Sequence, residues 1–477
     1  MSPTRRSRLI PYVVACALFM ENLDSTVLAT ALPEIARSLG ESPLHLNLAI
    51  TSYLLSLAIF IPVSGWIADR FGARRVFCLA IIVFTLGSIS CGFAQSFWGL
   101  VASRVVQGLG GAMMVPVGRL VLLRSVAKTE LVAALALVTI PALIGPIVGP
   151  PLGGFITTYL SWRWIFWINI PIGIAGVTLA LILFEQVREE HVPPFDWRGF
   201  VLAATGLAGV MMGFETIGRG LLPTAAVVAL VVAGVAALTL YVRHARRRAH
   251  PVLDLGLLRI GTFRAAVLGG FIFRIGIGAI PFLLPLLLQL GFGMNPLQSG
   301  LLTFAAAVGA LTMKMAARRI LRHFGFRNVL IVNALISAVS IGACAFFDVA
   351  TPGAVILAVL LLGGFFRSLE FTSINALAYS DVPRERMSRA TSFASVGQQL
   401  SLSVGVGLGA LILHVVVGLR GAEDAAAQDF APAFLIVAGI SASAALVFWR
   451  LPSDAGAEVS GRAPASQSES LTLSERS

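Results

Sequence analysis

Gly65-Trp66-Ile67-Ala68-Asp69-Arg70-Phe71-Gly72-Ala73-Arg74-Arg75 is a polar run between two apolar stretches, and its recurrence decides the fold. Phe71-Gly72-Ala73-Arg74 returns as Phe324-Gly325-Phe326-Arg327, an offset of 253 residues (325 − 72). Leu32-Pro33 likewise returns as Leu284-Pro285, at an offset of 252 (284 − 32). The surrounding chain is 57% hydrophobic and 12% charged, against about 25% charged in a soluble domain, so it reads as a membrane protein. Fourteen apolar stretches can cross a bilayer core of about 30 Å, near 10–32, 47–68, 77–94, 98–122, 131–157, 164–185, 199–217, 221–242, 264–290, 298–317, 328–347, 352–379, 388–416 and 431–450. The repeat offset spans eight of these stretches, whereas a plain duplication of a six-helix half would span six. Two extra helices therefore lie between the halves.

The expected architecture is all-α. Residues 1–185 form a six-helix bundle, 186–263 two inserted helices with a basic loop, and 264–451 a second six-helix bundle. Residues 452–477, rich in Ser, Ala, Glu and Gly, are expected to be a disordered cytoplasmic tail.

A net charge of +12 suggests nucleic acid until its distribution is read. With the N-terminus inside, the inner segments before the last helix carry 23 basic residues, among them Arg5, Arg6, Arg8, Arg74, Arg75 and the cluster Arg243–Arg248. The outer loops carry four, Arg37, Arg163, Arg219 and Arg420. That asymmetry is the positive-inside bias, so both termini are expected in the cytoplasm and no nucleic-acid partner is implied. Cys16, Cys78, Cys91 and Cys344 lack C-x-x-C spacing and read as small core residues, not as a disulfide or metal framework. Arg5, Arg6 and Arg8 before an apolar stretch resemble a signal peptide, but Glu21 and Asp24 interrupt that stretch, so the first helix is expected to stay uncleaved.

Two motifs suggest moving parts. In the quoted run, Gly72 permits a tight turn, while Asp69, Arg70 and Arg74 can form an ionic latch, with Gly65 as its second spaced glycine. A plain basic loop would explain the arginines but not the Asp with two glycines. In the second copy Asp69 aligns with Arg322, so that latch is lost or reversed. The second motif is Gly145-Pro146-Ile147-Val148-Gly149-Pro150-Pro151-Leu152-Gly153-Gly154. Gly145, Gly149 and Gly153 form a bare stripe for close helix packing, and Pro150 should bend the helix. By the topology count the run lies in the outer half of the fifth stretch, where it is expected to form a tight outer seal.

The Gly65–Arg75 run resembles the signature between helices 2 and 3 of the major facilitator superfamily. Arg104-Val105-Val106-Gln107-Gly108-Leu109-Gly110-Gly111 resembles that superfamily's helix-4 motif, and Gly145–Gly154 its antiporter motif. Leu23-Asp24-Ser25-Thr26-Val27-Leu28-Ala29-Thr30-Ala31-Leu32-Pro33 and Trp162-Arg163-Trp164-Ile165-Phe166-Trp167-Ile168-Asn169-Ile170-Pro171 are similar to the fourteen-helix drug:proton antiporter branch of EmrB/QacA type, and within it to the MdtD-like exporters. The resemblance implies proton-driven export of small amphiphilic molecules from the cytoplasm across a bacterial inner membrane. It implies a monomer without cofactor, with periplasmic or outer-membrane export components as candidate partners.

The residues ask for coupling on their own account. Glu21 and Asp24 are three apart on one face of the first helix, where each buried charge costs about 2.5–3.5 kcal/mol on insertion scales. Two facing carboxylates in low dielectric repel, and taking up a proton relieves the repulsion. Arg104 is the natural partner, which makes Asp24, Glu21 and Arg104 the candidate proton-coupling set; a static ion pair is the alternative. In the second half, Arg274, Arg367, Glu370 and Gln398 are candidate substrate contacts, with Arg274 suited to an anionic group. Arg367 and Glu370, at i and i+3, are equally readable as a neutralising pair. Glu215 with Arg219 reads as a solvated pair, and Lys314 and Arg119 as side chains that snorkel from inner helix ends. No phosphate-binding G-x-x-x-x-G-K-[ST] run and no H-E-x-x-H cluster occurs, so neither a nucleotide-driven pump nor a metalloenzyme is expected. An importer of the same fold and a transporter-shaped sensor are the remaining alternatives.

Overall fold

The computed structural model describes residues 3–41, 43–126, 130–186, 192–216, 222–294, 296–421 and 425–460, and their regular structure is entirely helical. The helices are α1 (Pro3–Leu39), α2 (Pro43–Phe60), α3 (Ser64–Phe71), α4 (Ala73–Phe93), α5 (Phe97–Ser125), α6 (Leu131–Tyr159), α7 (Trp164–Trp167) and α8 (Asn169–Leu183). There follow α9 (Trp197–Thr216), α10 (Thr224–Ala245), α11 (Gly261–Leu286), α12 (Pro296–Ala343), α13 (Gly353–Ala378), α14 (Met387–Leu419), α15 (Phe430–Trp449) and α16 (Ala457–Ser460).

Among the described residues, 11 helical stretches are long and apolar enough to cross a membrane. One of them, Gln298–Phe346, is 49 residues long and breaks at Gly325 (φ 75°, ψ 163°), so it covers two expected stretches. α1 and α6, 37 and 29 residues long, cover 10–32 and 131–157. The repeat seen in the sequence has a backbone counterpart: Gly72, between α3 and α4, also has positive φ (90°). A side chain at either glycine would be strained, so both turns need the residue they have.

The chain divides into two compact units. The first comprises Met1–Val126, Leu137–Leu255 and Arg384–Val396, the second Ala127–Ala136, Gly256–Pro383 and Gly397–Ser477. The inserted helices α9 and α10 belong to the first. They cross where Gly209 and Gly234 meet: a Cβ on Gly209 would lie 3.0 Å from the Gly234 Cα.

In the first unit, glycines set how close the helices come. A Cβ on Gly110 would lie 2.7 Å from Ala80 O on α4, and one on Gly108 2.8 Å from Tyr53 O on α2. The α5 motif thus brings two neighbours to backbone contact at once. In the second unit, Gly278 of α11 faces Leu402 of α14 (2.7 Å to its carbonyl oxygen), and Gly364 of α13 lies against the Ala306 backbone of α12.

Three expectations change. Residues 452–460 were expected to be disordered, yet α16 forms and buries Val459 (1% exposed). Gly456 (φ 68°) turns the chain against Phe326 and Leu377. Lys314 does not snorkel. α12 runs on to Gly325, 11 residues further (325 − 314), so Lys314 sits about three turns inside the helix, is 7% exposed, and donates to Thr372 Oγ1 at 2.6 Å. Arg367 and Glu370 form no ion pair with each other: both Glu370 carboxyl oxygens lack a partner among the described residues. Residues 461–477 and the Arg219 site lie outside the described residues, as does the Glu215 side chain.

Candidate functional site

Arg104 opens the helix-4 motif and is fully buried (0% exposed). Its Nη1 donates to Asp24 Oδ2 at 2.6 Å and to Gln107 Oε1 at 2.6 Å, and its Nε to the Ala49 carbonyl at 3.3 Å. The guanidinium carbon lies 4.4 Å from the centre of the Tyr53 ring, whose π face takes up part of the charge. The glycines of the motif make this possible. Gly108 and Gly111 leave no side chain against α2, and a Cβ on Gly111 would come within 2.9 Å of the Tyr53 hydroxyl. Ser56 then bonds the Val105 carbonyl at 2.9 Å and fixes α2 in place.

Asp24, 3% exposed, receives more than Arg104. Gln107 Nε2 donates to Oδ1 at 2.8 Å and Asn169 Nδ2 to the same oxygen at 3.1 Å. Asn169 is the first residue of α8 and also donates to Ser88 Oγ at 3.0 Å, while Ser88 donates to the Phe166 carbonyl at 2.8 Å. Three N–H groups therefore converge on two oxygens, the pattern that an ionised carboxylate accepts. Buried groups placed this way hold one another strictly. Glu21 stands beside this network with the Tyr53 hydroxyl facing it, and its Oε2 is buried without a hydrogen-bond partner among the described residues. Asp24 and Arg104 meet as the sequence suggested, with Glu21 adjacent. Gln107, Asn169 and Tyr53 were missed, although two of them lie inside motifs already quoted.

At the Gly65–Arg75 run, Asp69 is 8% exposed. Its partners are not Arg70 or Arg74. Arg124, from the end of α5, approaches Oδ1 at 3.3 Å, and the Ser388 hydroxyl donates to Oδ2. Arg70, in the last turn of α3, is exposed, and Arg74, in the first turn of α4, is half-buried. Ser388 is available because Gly65 lets the Arg384–Val396 segment press in: a Cβ there would lie 2.6 Å from Ser388 O. Ser64 and Ser392 share a hydrogen bond of 2.8 Å beside it. Gly72 seats the Gln186 side chain, which donates to Phe71 O at 3.1 Å.

The glycine stripe of α6 packs on α1. A Cβ on Gly145 would lie 3.0 Å from Leu23 N, and one on Gly149 2.8 Å from Thr26 Cβ. Gly153 is buried, whereas Gly154 faces open space. The helix is continuous through the run; the Pro146 and Pro150 side chains lie outside the described residues.

In the second unit, Arg274 is 4% exposed, donates to Asn375 Oδ1 at 3.4 Å and lies 5.4 Å from the Phe371 ring centre. Glu370 is completely buried, and Gln398 is half-buried with its Oε1 buried and unpartnered among the described residues. Among the described residues no group of His, Cys, Asp and Glu could hold a metal ion.

Membrane-length helices, a paired repeat and a buried charge network define a polytopic membrane transporter rather than an enzyme. The chain belongs to the Major Facilitator Superfamily, whose sequence model matches residues 14–263 and 266–474. It is 41% identical over 449 residues to the "putative multidrug resistance protein MdtD" of Klebsiella pneumoniae, covering 93% of this chain and 95% of that one. The protein of the same description from Escherichia coli O6:H1 is 40% identical over 452 residues, covering 93% and 94%. Among solved structures, the human organic anion transporter MFSD10 (TETRAN) superposes with TM-score 0.68 at 16% identity, over 94% of this chain and 100% of that one. The proton:xylose symporter XylE gives TM-score 0.67 at 16% identity, over 95% and 98%. At such identity these two speak for the fold alone.

Proposed function

We propose that the protein is a proton-coupled exporter of small amphiphilic molecules, of multidrug type, working by alternating access in a bacterial inner membrane. The observation that carries this reading is the Asp24–Arg104 pair, fully buried at 2.6 Å within membrane helices. An ion pair so placed is costly to form and costlier to break on one side only. It is a poor choice for mere stability and a good one for a switch. While Arg104, Gln107 and Asn169 all donate to Asp24 it stays ionised. When substrate or helix movement draws Arg104 away, the carboxylate is stranded and takes a proton, with Glu21 able to share it. Protons are the coupling ion and no other cofactor enters.

The charge asymmetry of the loops supports cytoplasmic termini and a cytoplasmic location for the Asp69–Arg124–Ser388 latch. Release of that latch opens the inner gate, while the α1–α6 glycine contact forms the outer seal. Each proton carries about 2.3 kcal/mol per 100 mV, enough for roughly a 50-fold gradient if one charge moves. The relatives described as multidrug resistance proteins support the substrate class. The unit of function is a monomer, to which periplasmic export components can attach.

A second reading concerns substrate charge. Away from their ends, the membrane helices of the second unit carry Arg274, Lys314 and Arg367 against one acid, Glu370, among the described residues, which favours anionic or zwitterionic substrates, with Gln398 as a further contact. The test is proton flux in everted vesicles against a panel of organic cations, neutral drugs and organic acids, with Asp24→Asn in parallel. Substrate-dependent proton movement that Asp24→Asn abolishes is expected; a fully coupled Asp24→Asn variant would overturn the assignment.

A further inference from the structure

Glu370 is the acid that the coupling scheme leaves unused, and its surroundings differ from those of Asp24. It is 0% exposed, so no space beside it admits a water-sized probe. Both carboxyl oxygens lack a hydrogen-bond partner among the described residues. The neighbouring polar groups on its own helix are spent elsewhere: Ser368 donates to Ala310 O at 2.9 Å, Thr372 to Ser368 O at 2.9 Å, and Ser373 to Leu369 O at 2.7 Å.

The charges on the packed elements are likewise placed. From α11, Arg274 donates to Asn375 and forms no ion pair with Glu370, whose oxygens are both unpartnered among the described residues. From α12, Lys314 is bonded to Thr372. On α13 itself, Arg367 likewise forms no ion pair with Glu370 among the described residues. A carboxylate anion in such a place would have neither an ion-pair contact nor a hydrogen bond, a state that buried groups avoid by neutralising. The neutral acid needs far less.

We infer that Glu370 is a second proton-binding site, held as the neutral carboxylic acid in this conformation and discharged when Arg274 closes on it. On discharge, in a conformation that admits water to the site, the O–H bond breaks, the proton passes to that water, and the carboxylate becomes the counter-ion of the Arg274 guanidinium. The two units then use opposite resting states. Asp24 rests ionised on Arg104, and Glu370 rests protonated beside Arg274. One cycle would thus move a proton through each half. This inference rests on the proton-coupled reading but is testable without it.

The test is infrared spectroscopy of the full-length purified transporter in neutral buffer, free of substrate. The wild type should show the carbonyl stretch of a protonated carboxylic acid, shifting in heavy water. Glu370→Gln should lose one carboxyl equivalent of that band, Glu370→Asp should keep it at a shifted frequency, and Asp24→Asn should leave it intact. A monodisperse Glu370→Gln protein with the wild-type band would show that Glu370 is ionised and overturn the inference. Should Glu370→Gln fail to fold, a Glu370→Asp protein whose band is unshifted does the same. Loss of the band in Glu370→Gln together with absent proton flux in vesicles would sink the antiport reading and leave the protonated Glu370 standing.

Discussion

Asp24 Oδ2 and Arg104 Nη1 lie 2.6 Å apart, with side chains 1% and 0% exposed, and neither has another counter-ion among the described residues. Removing one partner alone therefore strands the other. Arg104→Met should cost about 3–5 kcal/mol, read as a large drop in melting temperature in detergent. Asp24→Asn should cost a comparable amount: its amide oxygen still accepts from Gln107 or Asn169, but the Arg104 guanidinium stays charged and buried without its counter-ion. The double variant should recover much of what Arg104→Met loses. A double variant no more stable than Arg104→Met would show that the pair is not an isolated ion pair.

The latch yields a prediction of a different kind. Ser388→Ala takes the hydroxyl from Asp69 Oδ2 and leaves the Arg124 contact at Oδ1 in place. A buried acceptor deprived of its donor costs about 1–3 kcal/mol. Amide exchange in Gly65–Arg75 and Arg384–Val396 should accelerate accordingly, while α9 and α10 stay protected. Arg70→Gln should leave the exchange of both segments unchanged, since Arg70 is exposed. Equal effects from Ser388→Ala and Arg70→Gln would refute this latch.

Most of the helical order was legible because it rests on hydrophobicity and on glycines whose φ or packing admits no side chain. Gly72 and Gly325 betrayed the repeat, and the backbone at both bears it out. The Asp24–Arg104 encounter was legible because a membrane helix tolerates a charge only with a partner. Partner choice across long separations was not. Arg124 lies 55 residues from Asp69, and Ser388 lies 319 away, so the nearby Arg70 and Arg74 looked equally suitable. The i, i+3 spacing of Arg367 and Glu370 misled for a related reason: spacing gives proximity along one helix, while neighbouring helices decide which way each side chain turns.

Lys314 tests how far a buried charge is structural. It bonds Thr372 Oγ1 at 2.6 Å and has no carboxylate partner among the described residues. Lys314→Met keeps the side-chain volume and removes a desolvated ammonium, leaving behind only a hydroxyl that already donates to Ser368 O. Stability should therefore stay the same or rise, in contrast to Arg104→Met. If Lys314 serves anionic substrates, export of organic acids should fall in the same variant while its melting temperature holds. A melting temperature that falls as far as in Arg104→Met would reveal a hidden counter-ion.

The glycine-rich run of α6 gives the sharpest comparison, because Gly149 and Gly154 face opposite environments. A Cβ on Gly149 would lie 2.8 Å from Thr26 Cβ and 3.4 Å from Val27 N, and a Cβ on Gly154 would meet nothing within 4 Å. Gly149→Leu must push α1 away, at about 1–3 kcal/mol for overpacking, and Thr26 is two residues from Asp24. The displacement should loosen the Asp24–Arg104 contact and let protons pass without substrate. Gly154→Leu should change stability by no more than about 0.5 kcal/mol and leave coupling intact. Passive proton leak in proteoliposomes separates the two: high in Gly149→Leu, at wild-type level in Gly154→Leu. Adding Thr26→Gly to the milder Gly149→Ala should restore tightness, since the added methyl then meets no side chain on α1.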